Sequence, residues 1–252
     1  MSYLKNKILE DLERVGILAD DTLLVHSSYK SLGEPSLTAK AFLQTLLDYL
    51  SRGTLLFPAL SYTFVTPQNP CFDNRKTASC VGYLSEVFRT QFEVLRSNHP
   101  THSVCALGKE AQSITQLHGR DTTPCGKHSP FSLLPEYEGK ILMLGCGLKP
   151  NTFMHSVEEF VEPEYLFGPK LNYSLVDEKG KFYEKEYRTH GFDGYAQRYD
   201  KVLELEHKNF LTEGSLLQAK CHVLNSAKLR EHALEKLNQA PNFFVDKLET
   251  DA

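Results

Sequence analysis

The chain has 252 residues, of which 41% are hydrophobic and 24% are charged, and this composition is typical of an ordinary globular protein. Its formal net charge of −4 gives no reason to expect a nucleic-acid partner, and the lack of any apolar run of about 18 residues excludes membrane insertion. Charges near the N-terminus replace the apolar stretch of a secretory signal, and no C-x-x-C pair occurs among the six cysteines, so we expect a cytoplasmic protein with reduced thiols.

Helices and strands alternate along the first part of the chain, which is typical of α/β proteins. Apolar residues at helical spacing alternate with short apolar runs, and Gly16 and Gly53 stand where the first two helices would end. The predicted elements, in chain order, are a helix over residues 3–15, a strand over 22–26, a helix over 41–50, a strand over 54–57, a helix over 82–88, and strands over 104–107 and 140–144.

Two polar segments interrupt this pattern. Residues 61–80 lose periodicity and contain Pro67 and Pro70, which predicts a long loop over a functional face. Residues 96–103 offer a guanidinium, two imidazoles and three hydroxyls within eight residues, a set of donors that can hold phosphate. A surface loop with incidental polar residues accounts for the same composition, so this segment alone does not decide between the two.

Antiparallel strands are predicted in the second half of the chain. Residues 171–177 and 181–187 flank the segment 178–180 in the manner of a β-hairpin. Apolar residues between Leu224 and Leu237 predict a strong helix in the charged tail. We therefore predict an α/β fold with a central mixed sheet flanked by helices, in a single domain over residues 1–252.

The segment after the strand at 140–144 carries the most informative pair of residues. A helical spacing of three places His155 and Glu158 on one helix face, where the carboxylate can orient the imidazole and raise its basicity. Such a pair can act as a general base. The same pair can also be a helix contact worth a few tenths of a kcal/mol.

Other chemistries have weaker signals. Cys146 lies between two glycines upstream of His155, which permits a nucleophile hypothesis, although a small buried residue at a turn is the simpler interpretation. Neither a nucleoside-triphosphate loop nor a dinucleotide motif occurs. His102, His155 and Glu158 do not form a known ligand pattern, so we predict no metal.

Five motifs follow one another in a fixed order between residues 25 and 160. They are VHSSYKSLG at 25–33, GTLLFP at 53–58, RSNHPTHS at 96–103, GKHSP at 126–130 and NTFMHSVE at 151–158. Taken together and in this order, they resemble the aminoglycoside 3-N-acetyltransferase family of antibiotic N-acetyltransferases. The helical tail after Gly214 fits that family more loosely.

The resemblance implies a fold distinct from the GNAT acetyltransferases, with acetyl-coenzyme A (acetyl-CoA) as the donor substrate. It implies that His155 and Glu158 form the catalytic pair and that Thr152 helps to position the thioester. The residues that it places at coenzyme A are Ser27, Ser28, Ser31, Leu32, Gly33 and Ser129 along the pantetheine arm, and Arg96, His99, His102 and Ser103 in the phosphate region.

The chemistry of acetyl transfer agrees with the pair at 155 and 158. An amine that is protonated at neutral pH must lose its proton before it attacks a thioester, and a positioned imidazole can accept that proton. We therefore expect direct transfer, with His155 as base, Glu158 as its orienting carboxylate, and a hydroxyl or amide donor that stabilises the oxyanion.

We expect the acceptor to be a smaller amine than an aminoglycoside, such as an amino sugar. An aminoglycoside is a large polycation and needs an acidic cleft, for which the four glutamates in residues 158–164 are only a beginning, since the 61–80 loop adds Asp73 alone. On this hypothesis antibiotic resistance is not the native role. The chain's own second copy, in a homodimer, is a further candidate partner.

Two other functions stay open from the sequence. The first is a hydrolase or transferase that forms an acyl-enzyme through Cys146 and His155. The second is a non-catalytic protein that binds acyl-CoA and releases no thiol with any amine.

Overall fold

A seven-stranded mixed sheet forms the centre of the computed structural model, which describes residues 2–249. In spatial order its strands are β10 (Leu211–Leu216), β11 (Ala219–Asn225), β6 (Lys140–Leu144), β1 (Thr22–Ser27), β2 (Thr54–Pro58), β5 (Val104–Gly108) and β4 (Leu95–Arg96). Strand β1 runs parallel to its neighbours β2 and β6, and the other pairs are antiparallel. The helices are α1 (Ser2–Arg14), α2 (Ala39–Tyr49), α3 (Tyr83–Gln91), α4 (Ala111–Thr115), α5 (Pro130–Leu133), α6 (Phe153–Glu158) and α7 (Ser226–Gln239).

The predicted α/β fold with a mixed sheet flanked by helices is confirmed. Helices α1 to α3 pack on one face of the sheet and α4 to α7 on the other. Successive strand residues point to opposite faces, so Leu23 and Val25 join the first core while Leu24 joins the second. Strand β1 is therefore apolar along its length, as a central strand covered on both faces must be.

Smaller sheets cover one end of the central sheet. One consists of β3 (Cys71–Asp73), β7 (Phe167–Val176) and β8 (Phe182–His190), and the other pairs β9 (Tyr195–Gln197) with β12 (Val245–Lys247). The predicted hairpin is confirmed, and its strands are several residues longer than the pattern indicated. The predicted loop over 61–80 contains β3, which pairs with β7.

The prediction for the tail is wrong in one part. Leu224 lies in β11, not in a helix, because β10 and β11 form a hairpin that adds two strands to the sheet beside β6. Alternation explains the burial of this strand, since Cys221 and Val223 face one core and Leu224 faces the other. The helix that follows, α7, contains the rest of the predicted apolar residues. No described helix is both long and apolar enough to cross a membrane.

The candidate site lies at the edge of the central sheet where the parallel strands β1 and β6 end. The chain leaves β6 at Leu144, passes through a turn and enters α6, so α6 begins near the carboxyl ends of β1 and β6. Ligands of open α/β sheets bind at this edge. The connection is packed tightly, because a Cβ on Gly145 would lie 1.7 Å from Ser31 Oγ, and Gly145 has a φ of 66°.

Candidate active site

A cavity of about 610 Å³ lies between the carboxyl edge of the central sheet and the β7–β8 hairpin. Segments that are distant in sequence form its walls, as expected for a ligand site. The walls include Leu60, Tyr62, Val65, Thr101, His102, Thr152, His155, Leu171, Tyr173, His190, Phe192, Gln197 and Tyr199. Three predicted site residues, Thr152, His155 and His102, are therefore brought together at one cavity.

Helix α6 presents His155 to this cavity. Thr152 precedes the first helical residue, and His155 follows within the first turn, with only 7% of its surface exposed. Every residue of this short helix is buried, so the imidazole has little freedom to turn away. The predicted position of His155 at a cavity, at the entrance of a helix that follows β6, is observed.

A fully buried carboxylate lies beneath His155. Glu158 accepts a hydrogen bond from Tyr165 Oη at 2.8 Å and another from Tyr199 Oη at 2.6 Å. The direct distance from Glu158 Oε2 to His155 Nδ1 is 3.4 Å, which is long for a hydrogen bond. Tyr199 Oη lies 2.7 Å from His155 Nδ1 and so connects the carboxylate to the ring.

The tyrosine hydroxyls can only act as protonated groups. Burial and the nearby Glu158 raise the pKa of Tyr165 and Tyr199 above the usual range. Tyr199 therefore donates its single proton to Glu158, and its oxygen accepts from His155 Nδ1–H. This chain of hydrogen bonds leaves the lone pair of His155 on Nε2, the nitrogen for which no described residue provides a hydrogen bond.

Two further histidines surround His155. The ring centroids of His102 and His190 lie 5.9 and 4.8 Å from that of His155. Burial lowers the pKa of both rings well below the usual range, so they are neutral at pH 7. His190 Nε2 donates to Glu159 Oε1 at 2.9 Å, and burial raises the pKa of Glu159 to about 7.

Four of the predicted coenzyme A residues are buried away from the cavity. The Arg96 guanidinium donates to Ser103 Oγ and to three backbone carbonyl oxygens, and it holds the 59–77 region against β4. Ser103 and Ser129 are fully buried, and Ser129 Oγ caps the short helix α5. His99 Nδ1 accepts from two backbone N–H groups and is 1% exposed. These contacts give the four residues a structural role, and their predicted contact with coenzyme A stays a prediction.

The loop after β1 is more accessible. It forms a turn of 3₁₀ helix over Tyr29–Leu32 that ends at Gly33, with φ at 69°. Ser27, Ser28 and Ser31 are half-buried and Gly33 is exposed, whereas Leu32 is buried in the core. The described lining of the 610 Å³ cavity includes none of this loop, so its contact with pantetheine stays a prediction.

Cys146 does not have the surroundings of a nucleophile. Burial raises the pKa of its thiol to about 11, and its one hydrogen bond is to Gly147 O at 3.6 Å. On the expectation of direct acetyl transfer, Cys146→Ala should keep kcat within about twofold of the unsubstituted protein, because the thiol would carry no covalent step. Steady-state thiol release measures this, and accumulation of an acetylated Cys146 in a burst phase would contradict it.

The buried histidines predict a protein that is sensitive to acid. Six rings have pKa values held below the usual range by burial: His26 and His118, both at about 3, and His99, His102, His190 and His222. The unfolded chain binds protons below about pH 6.5 that the folded protein excludes, so each ring costs about 1 kcal/mol of stability between pH 6.5 and 5.5 and about 1.4 kcal/mol per pH unit further below. The raised pKa values of Glu159 and Asp121 act in the opposite direction, but these are two groups against six.

Denaturant unfolding at pH 7.5, 6.5 and 5.5 measures this effect. We expect the free energy of unfolding to fall by several kcal/mol between pH 6.5 and 5.5. In His118→Gln the fall between pH 6.5 and 5.5 should be smaller by about 1 kcal/mol, while the exposed control His207→Ala should keep the full fall. A free energy that does not change over this range would contradict burial of neutral rings.

An α/β sheet with a buried histidine and carboxylate at a cavity defines a candidate general-base enzyme. Comparison with protein families assigns the class, because residues 24–238 match the model for aminoglycoside 3-N-acetyltransferase. The chain therefore belongs to this family of acyltransferases, and the predicted family is confirmed.

Individual proteins support the assignment. The SPbeta prophage-derived aminoglycoside N(3')-acetyltransferase-like protein YokD of Bacillus subtilis (strain 168) is 28% identical over 88% of this chain and 87% of its own. Its crystal structure has a TM-score of 0.79, at 27% identity and 94% coverage of each chain. Aminoglycoside N(3)-acetyltransferase IV of Salmonella sp is 26% identical over 96% of this chain and 90% of its own. The complex of AAC-IIIb with CoASH shares the fold, with a TM-score of 0.78 at 22% identity, and covers 93% and 96% of the two chains.

Proposed function

We propose that this protein transfers the acetyl group of acetyl-CoA directly to an amine, with His155 as the general base. The hydrogen-bonded chain from Glu158 through Tyr199 to His155 Nδ1 carries the proposal, because it directs the basic Nε2 into the 610 Å³ cavity. The resemblance of this chain to a family of acetyltransferases, one of whose solved structures holds CoASH, supports acetyl-CoA as the donor.

The proposed reaction has a single acyl-transfer step. The nitrogen of the neutral amine bonds to the thioester carbonyl carbon, His155 Nε2 takes the proton that this nitrogen loses, and the carbon–sulfur bond of the tetrahedral intermediate breaks. The products are an N-acetyl amine and the thiolate of coenzyme A, which can take up the proton. The Thr152 hydroxyl lines the same cavity and is the candidate donor to the oxyanion.

The cavity favours an acceptor with little positive charge. None of the described residues that line it is an aspartate or a glutamate. The glutamates in residues 158–164 do not contribute, since Glu158 is buried under His155 and Glu159 and Glu162 line a different cavity of about 400 Å³. A polycation would leave its ammonium groups without partners here. We therefore propose that the acceptor is a small amine, such as a mono-amino sugar.

Release of free thiol from acetyl-CoA with a panel of amines tests this proposal. We expect kcat/KM for mono-amino sugars to exceed that for aminoglycosides with four or more amines at least tenfold. Efficient acetylation of the polycations alone would overturn the choice of acceptor. Absence of thiol release with every amine would overturn the proposed enzyme and favour an acyl-CoA-binding protein.

A matched variant isolates the contribution of charge. Gln197 lines the cavity, so Gln197→Glu adds a carboxylate to the wall with almost no change of shape. KM for a polyamine acceptor should fall by up to about fivefold, the effect of a partly exposed ion pair, while KM for a mono-amino sugar should change less. An unchanged KM for the polyamine would place the acceptor outside this cavity.

A further inference from the structure

Three imidazoles meet at the cavity, although they come from three separate elements. His102 precedes β5, His155 lies in α6, and His190 ends β8. One ring nitrogen of each lies within 4.8 Å of those of the other two. The centroids of His102 and His190 are 5.0 Å apart, so the rings contact one another as well as His155.

The opposite side of each ring is bound to an oxygen. His155 Nδ1 lies 2.7 Å from Tyr199 Oη, His190 Nε2 lies 2.9 Å from Glu159 Oε1, and His102 Nδ1 lies 2.9 Å from Thr101 Oγ1. Hydrogen bonds of this kind orient the imidazoles that bind metals in proteins. No described residue pairs with His102 Nε2, His155 Nε2 or His190 Nδ1, and the last of these atoms is buried without a partner.

We propose that His102, His155 and His190 form a site for one divalent ion of the zinc class. Neutral imidazole nitrogens are the preferred ligands of such ions, whereas Mg²⁺ and Ca²⁺ require oxygen ligands that the three rings do not supply. Zinc–nitrogen bonds of about 2.0 to 2.1 Å would bring the nitrogens to about 3.3 Å from one another, so the rings must close by about 1.5 Å. The fourth coordination position would face the cavity and take water or a ligand.

The electrostatic surroundings of the rings support binding. The Glu159 carboxylate lies behind His190 and would compensate part of the charge of the ion. The sequence spacing predicts no metal because His190 is 35 positions from His155 and belongs to no recognisable ligand motif.

Occupancy of this site has a consequence that rests on the proposed function. The His155 Nε2 lone pair cannot bind an ion and accept a proton at the same time, so the ion would inhibit acetyl transfer. Binding is therefore measured without acetyl-CoA or amine, which also avoids capture of the ion by the thiol of coenzyme A. In this form the test does not depend on whether His155 is the base.

The experiment is titration of the substrate-free protein with Co²⁺, whose visible absorption reports tetrahedral coordination, and calorimetric titration with Zn²⁺. We expect one ion per chain and at least tenfold weaker binding in His102→Gln and in His190→Gln. Glu159→Gln changes no ligand and should weaken binding roughly 10- to 100-fold, through the orientation of His190. The exposed control His207→Ala should bind as the unsubstituted protein does.

Several outcomes would overturn the metal site. These are the absence of binding to the unsubstituted protein, equal affinity in His190→Gln, or a sulfur-to-cobalt charge-transfer band, which would place the ion on a cysteine such as the exposed Cys71. Circular dichroism of each variant separates loss of a ligand from loss of the fold, and Glu159→Gln retains all three imidazoles if a histidine variant is unfolded. An ion that binds but does not inhibit transfer would count against His155 as the base and leave the metal site in place.

Discussion

Replacement of His155 by alanine is expected to reduce kcat for acetyl transfer by roughly 10²- to 10⁴-fold, the usual contribution of a positioned general base. This loss corresponds to roughly 3 to 5 kcal/mol of transition-state stabilisation. The physical reason is that the Tyr199 and Glu158 hydrogen bonds leave His155 Nε2 as the basic nitrogen at the cavity. KM for acetyl-CoA should change much less than kcat.

Steady-state thiol release at saturating acetyl-CoA measures the effect. The matched control is His207→Ala, which removes an exposed imidazole that is not among the described residues lining the cavity and should leave kcat within about twofold. A His155→Ala protein that is folded, as shown by circular dichroism, and retains full turnover would exclude His155 as the base. Partial rescue of that variant by free imidazole would support the assignment, because the alanine leaves space at the cavity wall.

Much of the sheet and of the proposed catalytic pair could be predicted from local patterns. A short segment that is buried shows this in its own residues, as the apolar run of β1 and the helical spacing of Ile8 and Leu12 do. The strands and helices predicted from such patterns agree with the structure within a few residues. His155 and Glu158 are three positions apart in one helix, so the sequence shows both members of the pair. Their direct contact is longer than the spacing alone indicates.

The residues that complete the site could not be predicted in the same way. Tyr199 is 44 positions from His155 and lies in a turn of 3₁₀ helix, where no periodic pattern marks it. His190 reaches the cavity because β8 continues beyond the segment that the alternation indicates. Tyr165, which donates a hydrogen bond to Glu158, lies only seven positions after it. An aromatic residue shortly after the helix of His155 is a weak sequence signal for this contact.

The loop at 96–103 shows why composition can mislead. Its guanidinium and hydroxyls suit a phosphate, but the same donors satisfy backbone carbonyls that would otherwise be buried without partners. Arg96 is 7% exposed and also lies over the Phe72 ring, so it joins β4 to the small sheet. Composition cannot distinguish these uses, since both need an arginine beside hydroxyls. The structure shows which carbonyl oxygens accept hydrogen bonds from Arg96, and composition does not contain this information.

The link between Glu158 and His155 through Tyr199 predicts a specific pattern of losses. Glu158→Gln removes the charge that stabilises the imidazolium formed during transfer, and kcat should fall on the order of 10²-fold. Tyr199→Phe breaks the chain but leaves the carboxylate 3.4 Å from Nδ1, so a smaller loss of about tenfold is expected. The matched control is Tyr165→Phe, which removes the other hydrogen bond to Glu158 without touching His155 and should cost about 1 kcal/mol of stability with little effect on kcat.

The double variant distinguishes a positioning role from a merely structural one. If Tyr199 acts on His155 only by linking it to the Glu158 carboxylate, the loss in Glu158→Gln/Tyr199→Phe should be close to that of Glu158→Gln alone, because the two residues act as one unit. The pH profile of kcat/KM should shift in Glu158→Gln and not in Tyr165→Phe, since only the former changes the charge that His155 senses. Equal losses in Tyr165→Phe and Tyr199→Phe, with unchanged pH profiles, would show that both tyrosines serve only the fold around Glu158.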